Sequence, residues 1–186
     1  RQDASRDLQL LASYPASLAL LQGPPAGQRS QAEQLSTLFE LMMRDNPAYF
    51  QMRLISASDY GLERVRVDRD GDNLLRVQGD DLQEKSHYPY VSDTLTLPAG
   101  STYLSRIVIN HERGAHAGLG QPTVLLASPV TNARGQALGV IVINMDLKGA
   151  FNRLASDLPA EFQLFLANQQ GDFLIHPDNS KTFGFD

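Results

Sequence analysis

Around residue 50 the chain alternates, with Phe50, Met52 and Leu54 set against Gln51, Arg53 and Ile55. A period near two predicts a half-buried β-strand. Ser58-Asp59-Tyr60-Gly61 supplies a turn, and residues 63–67 return as a second strand, with Arg64 and Arg66 opposite Val65 and Val67. Asp70-Gly71 closes it. Before this hairpin the period is helical. Residues 3–22 place Leu8, Leu11, Leu18 and Leu21 on one stripe that Pro15 interrupts. Gly23-Pro24-Pro25-Ala26-Gly27 is a breaker loop. Ser30 with Glu33 reads as a capping box, opening a helix that carries Leu35, Leu38, Phe39 and Met42 and ends at Asn46-Pro47.

Downstream, residues 74–98 have no clear period and are expected to be mostly loop with a short helical piece. Strands resume over 103–110 and 123–130, and Asn132-Ala133-Arg134-Gly135 makes a turn. The run LGVIVIN, residues 138–144, is apolar on both faces, as a central strand covered on each side requires. A helix over 147–158 stops at Pro159. The order predicts an α+β fold: long N-terminal helices, then a five-stranded antiparallel sheet. After Pro159 the strand–Gly–strand rhythm begins again, with Gly171 in the place of Gly61. The expected division is a helical stalk over 1–48, a sheet-bearing module over 49–158, and the beginning of a second module over 159–186.

Composition removes several classes of function. The net charge of −5 argues against non-specific nucleic-acid binding, which needs a Lys/Arg surplus. The chain has no Cys, so disulfides, zinc-thiolate sites and Cys nucleophiles are excluded. No apolar run approaches the ~20 residues of a membrane span. The opening on Arg1 and the stop at Phe185-Asp186 read as the ends of a piece cut from a longer protein.

The most chemically loaded stretch is DDLQEKSHYPYVSD, residues 80–93, where Lys85, Ser86, His87, Tyr88 and Tyr90 offer cations, hydroxyls and ring faces to a small carboxylate or amine. The competing reading is a surface loop whose tyrosines plug the sheet. Tyr103 and Ser105 share one strand face with Ile107 and Ile109, and Asn144 and Asp146 share another with Val140 and Val142. Asp146 is either a ligand contact or the cap of the next helix. Arg66 is either an acid's partner or a solvated strand residue. The histidines His87, His111, His116 and His176 have no metal-ligand spacing, and the Gly-rich run 114–120 lacks the Lys-Ser/Thr of a phosphate cradle. Ser105 and Ser128 have no nucleophile setting, and Ser180-Lys181 is an adjacency in a turn. No catalytic activity, metal or cofactor is expected.

In their order and spacing, Tyr49-Phe50-Gln51-Met52-Arg53-Leu54-Ile55, Gly61-Leu62-Glu63-Arg64-Val65-Arg66-Val67, Leu82-Gln83-Glu84-Lys85-Ser86, Tyr103-Leu104-Ser105, Ser128-Pro129-Val130 and Gly139-Val140-Ile141-Val142-Ile143-Asn144-Met145-Asp146 resemble the extracytoplasmic Cache (PDC, PAS-like) sensor family in its double form. Gly171-Asp172-Phe173-Leu174-Ile175-His176-Pro177-Asp178 resembles the opening hairpin of that family's membrane-proximal module. The resemblance implies the periplasmic or extracellular part of a bacterial inner-membrane receptor, anchored by segments outside this chain and paired as a homodimer through the N-terminal helix. It implies a small-molecule ligand under the lid of residues 80–93, and a histidine kinase, diguanylate cyclase or chemoreceptor module as output. Amino-acid binders of the family carry Arg-x-Trp-Tyr in the lid; here the stretch is His87-Tyr88-Pro89-Tyr90, so only Tyr90 is kept. The residues expected at the ligand are Arg66, Lys85, His87, Tyr88, Tyr90, Tyr103, Ser105, Asn144 and Asp146. The alternative is a ligand-free module that docks a periplasmic binding protein.

Overall fold

The computed structural model describes residues 4–23, 26–109, 121–159 and 161–183. Pro24 and Pro25 of the breaker loop, His111, His116 and the Gly-rich run, and the Phe185-Asp186 end lie outside the described residues. The N-terminal part forms helices α1 (Ala4–Ala12), α2 (Pro15–Gln22) and α3 (Gln28–Asp45). The stripe over 3–22 is two helices, because Pro15 takes the first position of α2, where its missing N–H costs nothing. The capping box is not used. Gly27, at φ 90°, starts α3 three residues before Ser30, which lies inside the helix.

The strands are β1 (Tyr49–Ser56), β2 (Glu63–Asp70), β3 (Asn73–Val77), β4 (Tyr103–Leu104), β5 (Val108–Ile109), β6 (Pro122–Thr131) and β7 (Ala137–Asp146), with helix α4 (Pro89–Leu95) after β3 and α5 (Lys148–Ser156) after β7. They make one seven-stranded sheet in the order β3-β2-β1-β7-β6-β4, with β5 also pairing β6. Every pairing is antiparallel. The α+β class holds, and β7 is the central strand that its two-sided apolar run requires. The sheet is larger than the five strands expected, for two reasons. Residues 73–77 continue past the Asp70-Gly71 turn as an edge strand, and the segment 103–110 splits around residues 105–107 into β4 and β5.

Helices α1–α3 cover one face of the sheet. Leu8, Leu11, Leu20, Leu35, Phe39 and Met43 interlock there with Met52, Leu54, Val65, Val67, Ile141 and Ile143. A Cβ at Gly139 would lie 2.3 Å from the Ile55 carbonyl oxygen and 2.8 Å from Leu21 Cδ1, so α2 meets β7 where only glycine fits. The opposite face packs Ile55, Leu125, Ala127, Val140 and Val142 under Tyr90 and Val91 of α4. With cover on both sides, all eight positions of β1 are buried, not the alternate ones. Further on, β8 (Leu166–Ala167) and β9 (Phe173–Ile175) form a separate two-stranded sheet. Gly61 and Gly171 both adopt positive φ, 73° and 91°, in the turns of two different sheets.

Candidate functional site

The face of the sheet beneath α4 carries ions in its interior. Arg53 on β1 and Arg66 on β2 are register partners. Both are buried, with Glu63 and Asp68 buried beside them. Period two would send Glu63 and Arg66 to opposite faces. A register shift intervenes: Leu54 pairs Val65, but Ile55 pairs Glu63, which leaves Arg64 as the extra residue. Such a bulge re-aims the side chains beside it. Arg64 turns outward to Gln28 Oε1 (2.7 Å) and Asp59 (3.8 Å), and Glu63 turns in.

Once inside, the Glu63 carboxylate touches both guanidiniums, with 3.4 Å from Oε1 to Arg53 and 3.4 Å from Oε2 to Arg66. Glu63 Oε2 also accepts the Gln83 backbone N–H at 3.1 Å. Arg66 forks onto Asp68, donating from Nε (2.9 Å) and from its terminal nitrogen (2.7 Å). Burial works against the Arg66 charge, but the Asp68 hydrogen bonds and the Asp68 and Glu63 charges outweigh it and hold its pKa above the ordinary value. Gln51 Nε2 donates to Asp68 Oδ1 at 2.9 Å. Among the described residues, Arg53, Arg66, Glu63 and Asp68 thus form one buried ionic cluster.

Arg53 connects this cluster to the lid. It donates to the Tyr90 hydroxyl at 2.8 Å and to Asn144 Oδ1 at 3.0 Å. Tyr90 and Asn144 line a cleft of about 460 Å³, whose other walls are Tyr88 and Pro89, Tyr103 to Arg106 excluding Leu104, Val108, Ile109 and Leu125. Tyr88 and Tyr90 stack with centroids 5.4 Å apart. The lid starts from a fixed base. Lys85 N–H donates to Gly61 O and Ser86 N–H to Tyr60 O, at 2.9 and 3.1 Å. Arg106, Val108 and Ile109 also line a neighbouring hollow, whose far side is formed by Ala167, Asn168, Asp172 and Leu174 around β8 and β9.

Of the residues expected at a ligand, Tyr88, Tyr90, Tyr103, Ser105 and Asn144 meet at this cleft. The Ser105 hydroxyl donates to Arg106 O (2.6 Å) and accepts the Leu125 N–H (2.9 Å), tying the broken strand to β6. Arg66, Lys85, His87 and Asp146 are not among the lining residues. Arg66 is buried in the ionic cluster, which corrects its reading as a solvated strand residue. Lys85 is buried, donates from Nζ to Gln83 Oε1 at 2.8 Å and lies 5.1 Å from the Tyr88 ring centre. His87 packs on Tyr88 at 4.2 Å. Asp146 Oδ1 accepts the Lys148 N–H at 2.8 Å, the capping role, one residue ahead of the α5 cap position.

Sequence reading missed Arg53, Glu63, Asp68 and Arg106. The available signal was Arg53 set between Met52 and Leu54 in an expected strand, since a buried arginine demands carboxylates nearby. Among the described residues no group of three His, Asp or Glu could hold a metal ion, and no helix is long and apolar enough to cross a membrane.

A family described as bacterial histidine kinase, sensor domain, matches residues 8–186. No curated protein matches. Among solved structures, the domain of a protein assigned to the sensory box/GGDEF family of Vibrio parahaemolyticus superposes with a TM-score of 0.79 at 19% identity, covering 98% of this chain and 66% of that one. The extracellular domain of a protein assigned as a histidine kinase gives 0.75 at 20% identity, covering 98% and 63%. The ligand-binding domain of the Pseudomonas aeruginosa PAO1 amino acid chemoreceptor PctC, in complex with GABA, gives 0.59 at 21% identity, covering 97% and 69%. The fold is thus that of extracellular sensor domains, and the chain spans just under two thirds of the length of the first two.

Proposed function

The chain belongs to the bacterial histidine kinase sensor-domain family, and we propose that it is the periplasmic input domain of a membrane receptor, with a small polar organic molecule as its ligand. The supporting observation is the cleft between α4 and the sheet. Three tyrosines line it, and the polar residues Ser105, Arg106 and Asn144 stand among its apolar walls. Apolar walls with sparse, placed polar groups characterise small-molecule sites. In this reading residues 49–158 form the ligand-holding module, residues 159–186 begin a second one, and the N-terminal helices pair two copies in the receptor. The output is a cytoplasmic signalling module such as a histidine kinase. Because the lid base is fastened at Gly61, ligand entry moves the outer part, Tyr88 to Leu95. Occupancy then shifts an equilibrium between two receptor states, by no more than the ligand's differential affinity for them.

The test is a thermal-shift and calorimetric screen of organic acids, amines and purines against this chain. A ligand at 100 times its Kd adds about 2.7 kcal/mol of stability and raises Tm. The expected result is a rise with one chemical class that Tyr88→Ala abolishes. If no class raises Tm and Tyr88→Ala leaves signalling intact in the whole receptor, the cleft is not the sensing site.

A further inference from the structure

The lid helix α4 and the N-terminal helix α1 lie on opposite faces of the sheet, yet one short strap of chain reaches both. From the end of α4 it runs over residues 96–102 into β4, where Tyr103 pairs Ala127 and lines the cleft. The strap is held to α4 where it starts. Thr96 N–H donates to Asp93 O and Leu97 N–H to Thr94 O, both at 3.1 Å. Thr94 is itself buried, and its hydroxyl donates to Tyr90 O at 2.7 Å. Pro98 then fixes its own φ, and Ser101 N–H closes a turn on Pro98 O at 3.1 Å. A displacement of α4 is therefore carried along the strap and not absorbed as slack.

At its far end the strap meets α1. Gln9 Nε2 lies 3.4 Å from Ser101 O, 3.4 Å from Thr102 Oγ1 and 3.2 Å from Ser128 Oγ. A carbonyl oxygen only accepts, so Ser101 O turns the nitrogen of the Gln9 amide towards the strap. Ser128 on β6 is buried and shares a face with Leu126 and Val130 of the helix-side core. Its hydroxyl donates to the same Ser101 O at 2.8 Å. Leu8 and Leu11 also bury α1 against the sheet, but apolar burial is non-directional. It holds the helix down without fixing where the helix stands relative to the sheet edge. The Gln9 bonds fix that position.

We propose that Gln9 is a positioning residue that makes the strap a relay, so that α4 and α1 move together and a shift of the lid reaches the N-terminal helix around the sheet edge at β4. The use of this relay in sensing rests on the cleft being the ligand site; the mechanical link does not. Such coupling is reciprocal. Freeing α1 from the strap must loosen α4, and loosening α4 must loosen α1.

Hydrogen exchange, resolved along the chain and compared between variants at one pH, tests both directions without a ligand. Gln9→Leu keeps a side chain of similar bulk and removes the donor. Exchange is expected to be about fivefold faster at Leu97, Ser101 and the last turn of α4, the effect of losing about one net hydrogen bond, with β1 and β7 unchanged. Val91→Ala thins the packing of α4 on the sheet. It is expected to accelerate the α1 amides more than those of α3, and to lose that effect when combined with Gln9→Leu. Thr102→Val cuts the link from the strap side and should reproduce the Gln9→Leu pattern; it replaces Gln9→Leu if thermal melts show that variant unfolded. A link variant that loosens α1 but leaves α4 unchanged overturns the relay, as does a Val91→Ala effect that is equal on α1 and α3. Either result leaves the cleft reading standing, and a cleft that binds nothing leaves the relay standing.

Discussion

Arg53 and Arg66 stand directly opposite each other on β1 and β2, and a single carboxylate, Glu63, reaches both at 3.4 Å. Like charges directly across a sheet repel. Both are tolerated in the interior because Glu63 bridges them and Asp68 takes the far side of Arg66. A buried group of this kind is weak evidence of stability in itself, but removing one member strands a charge.

Glu63→Gln keeps the shape and the acceptor for Gln83 while removing the carboxylate that both guanidiniums share. The expected cost is about 3–5 kcal/mol, read as a lower urea midpoint. For a chain of this size the corresponding fall in Tm is ~2–4 °C per kcal/mol. Glu33→Gln is the control. Its partner Arg76 is 2.6 Å away, but Glu33 is more than half exposed, and its loss should cost under ~1 kcal/mol. Equal effects of the two substitutions would refute the buried bridge.

Gly61 sits at φ 73°, and a Cβ there would meet Ser86 N at 2.4 Å. Gly61→Ala therefore combines backbone strain with a collision against main chain, and should cost more than ~1 kcal/mol. The damage should be local first. Hydrogen exchange at the Lys85 and Ser86 amides, which bond to Gly61 and Tyr60 carbonyls, should accelerate before that of β7.

Acid will loosen α3 from β3. The Arg76 hydrogen bonds, at 2.6 and 3.0 Å, hold the Glu40 carboxyl below its ordinary value of 4.5, against a smaller opposing effect of burial. The unfolded chain takes up the proton first, so the contribution of this pair is complete above 4.5 and is lost as pH falls through the folded value. Urea midpoints followed downward past that pH should show a shallower decline in Glu40→Gln than in the unsubstituted chain. Parallel acid limbs would show that the pair does not titrate with folding.

What could be read from residues alone depended on whether the local pattern carried its own reason. The run LGVIVIN and the Asn132–Gly135 turn did, since two-sided apolarity and turn chemistry are local facts. The edge strand Asn73–Val77 did not, because its exposed and half-buried residues give no clean period. The Ser30 box misled because Gly27, at positive φ, had already begun the helix. Tyr88, Tyr90, Tyr103, Ser105 and Asn144, singled out from the sequence, lie along one cleft. Glu63 was hidden by the bulge at Arg64, since a single inserted residue reverses its face without leaving a mark in the alternation.

Arg106, Val108 and Ile109 line both the tyrosine-walled cleft and the hollow beside β8 and β9. A displacement of any of these three residues therefore alters the walls of both hollows, the one beneath α4 and the one beside the separate hairpin.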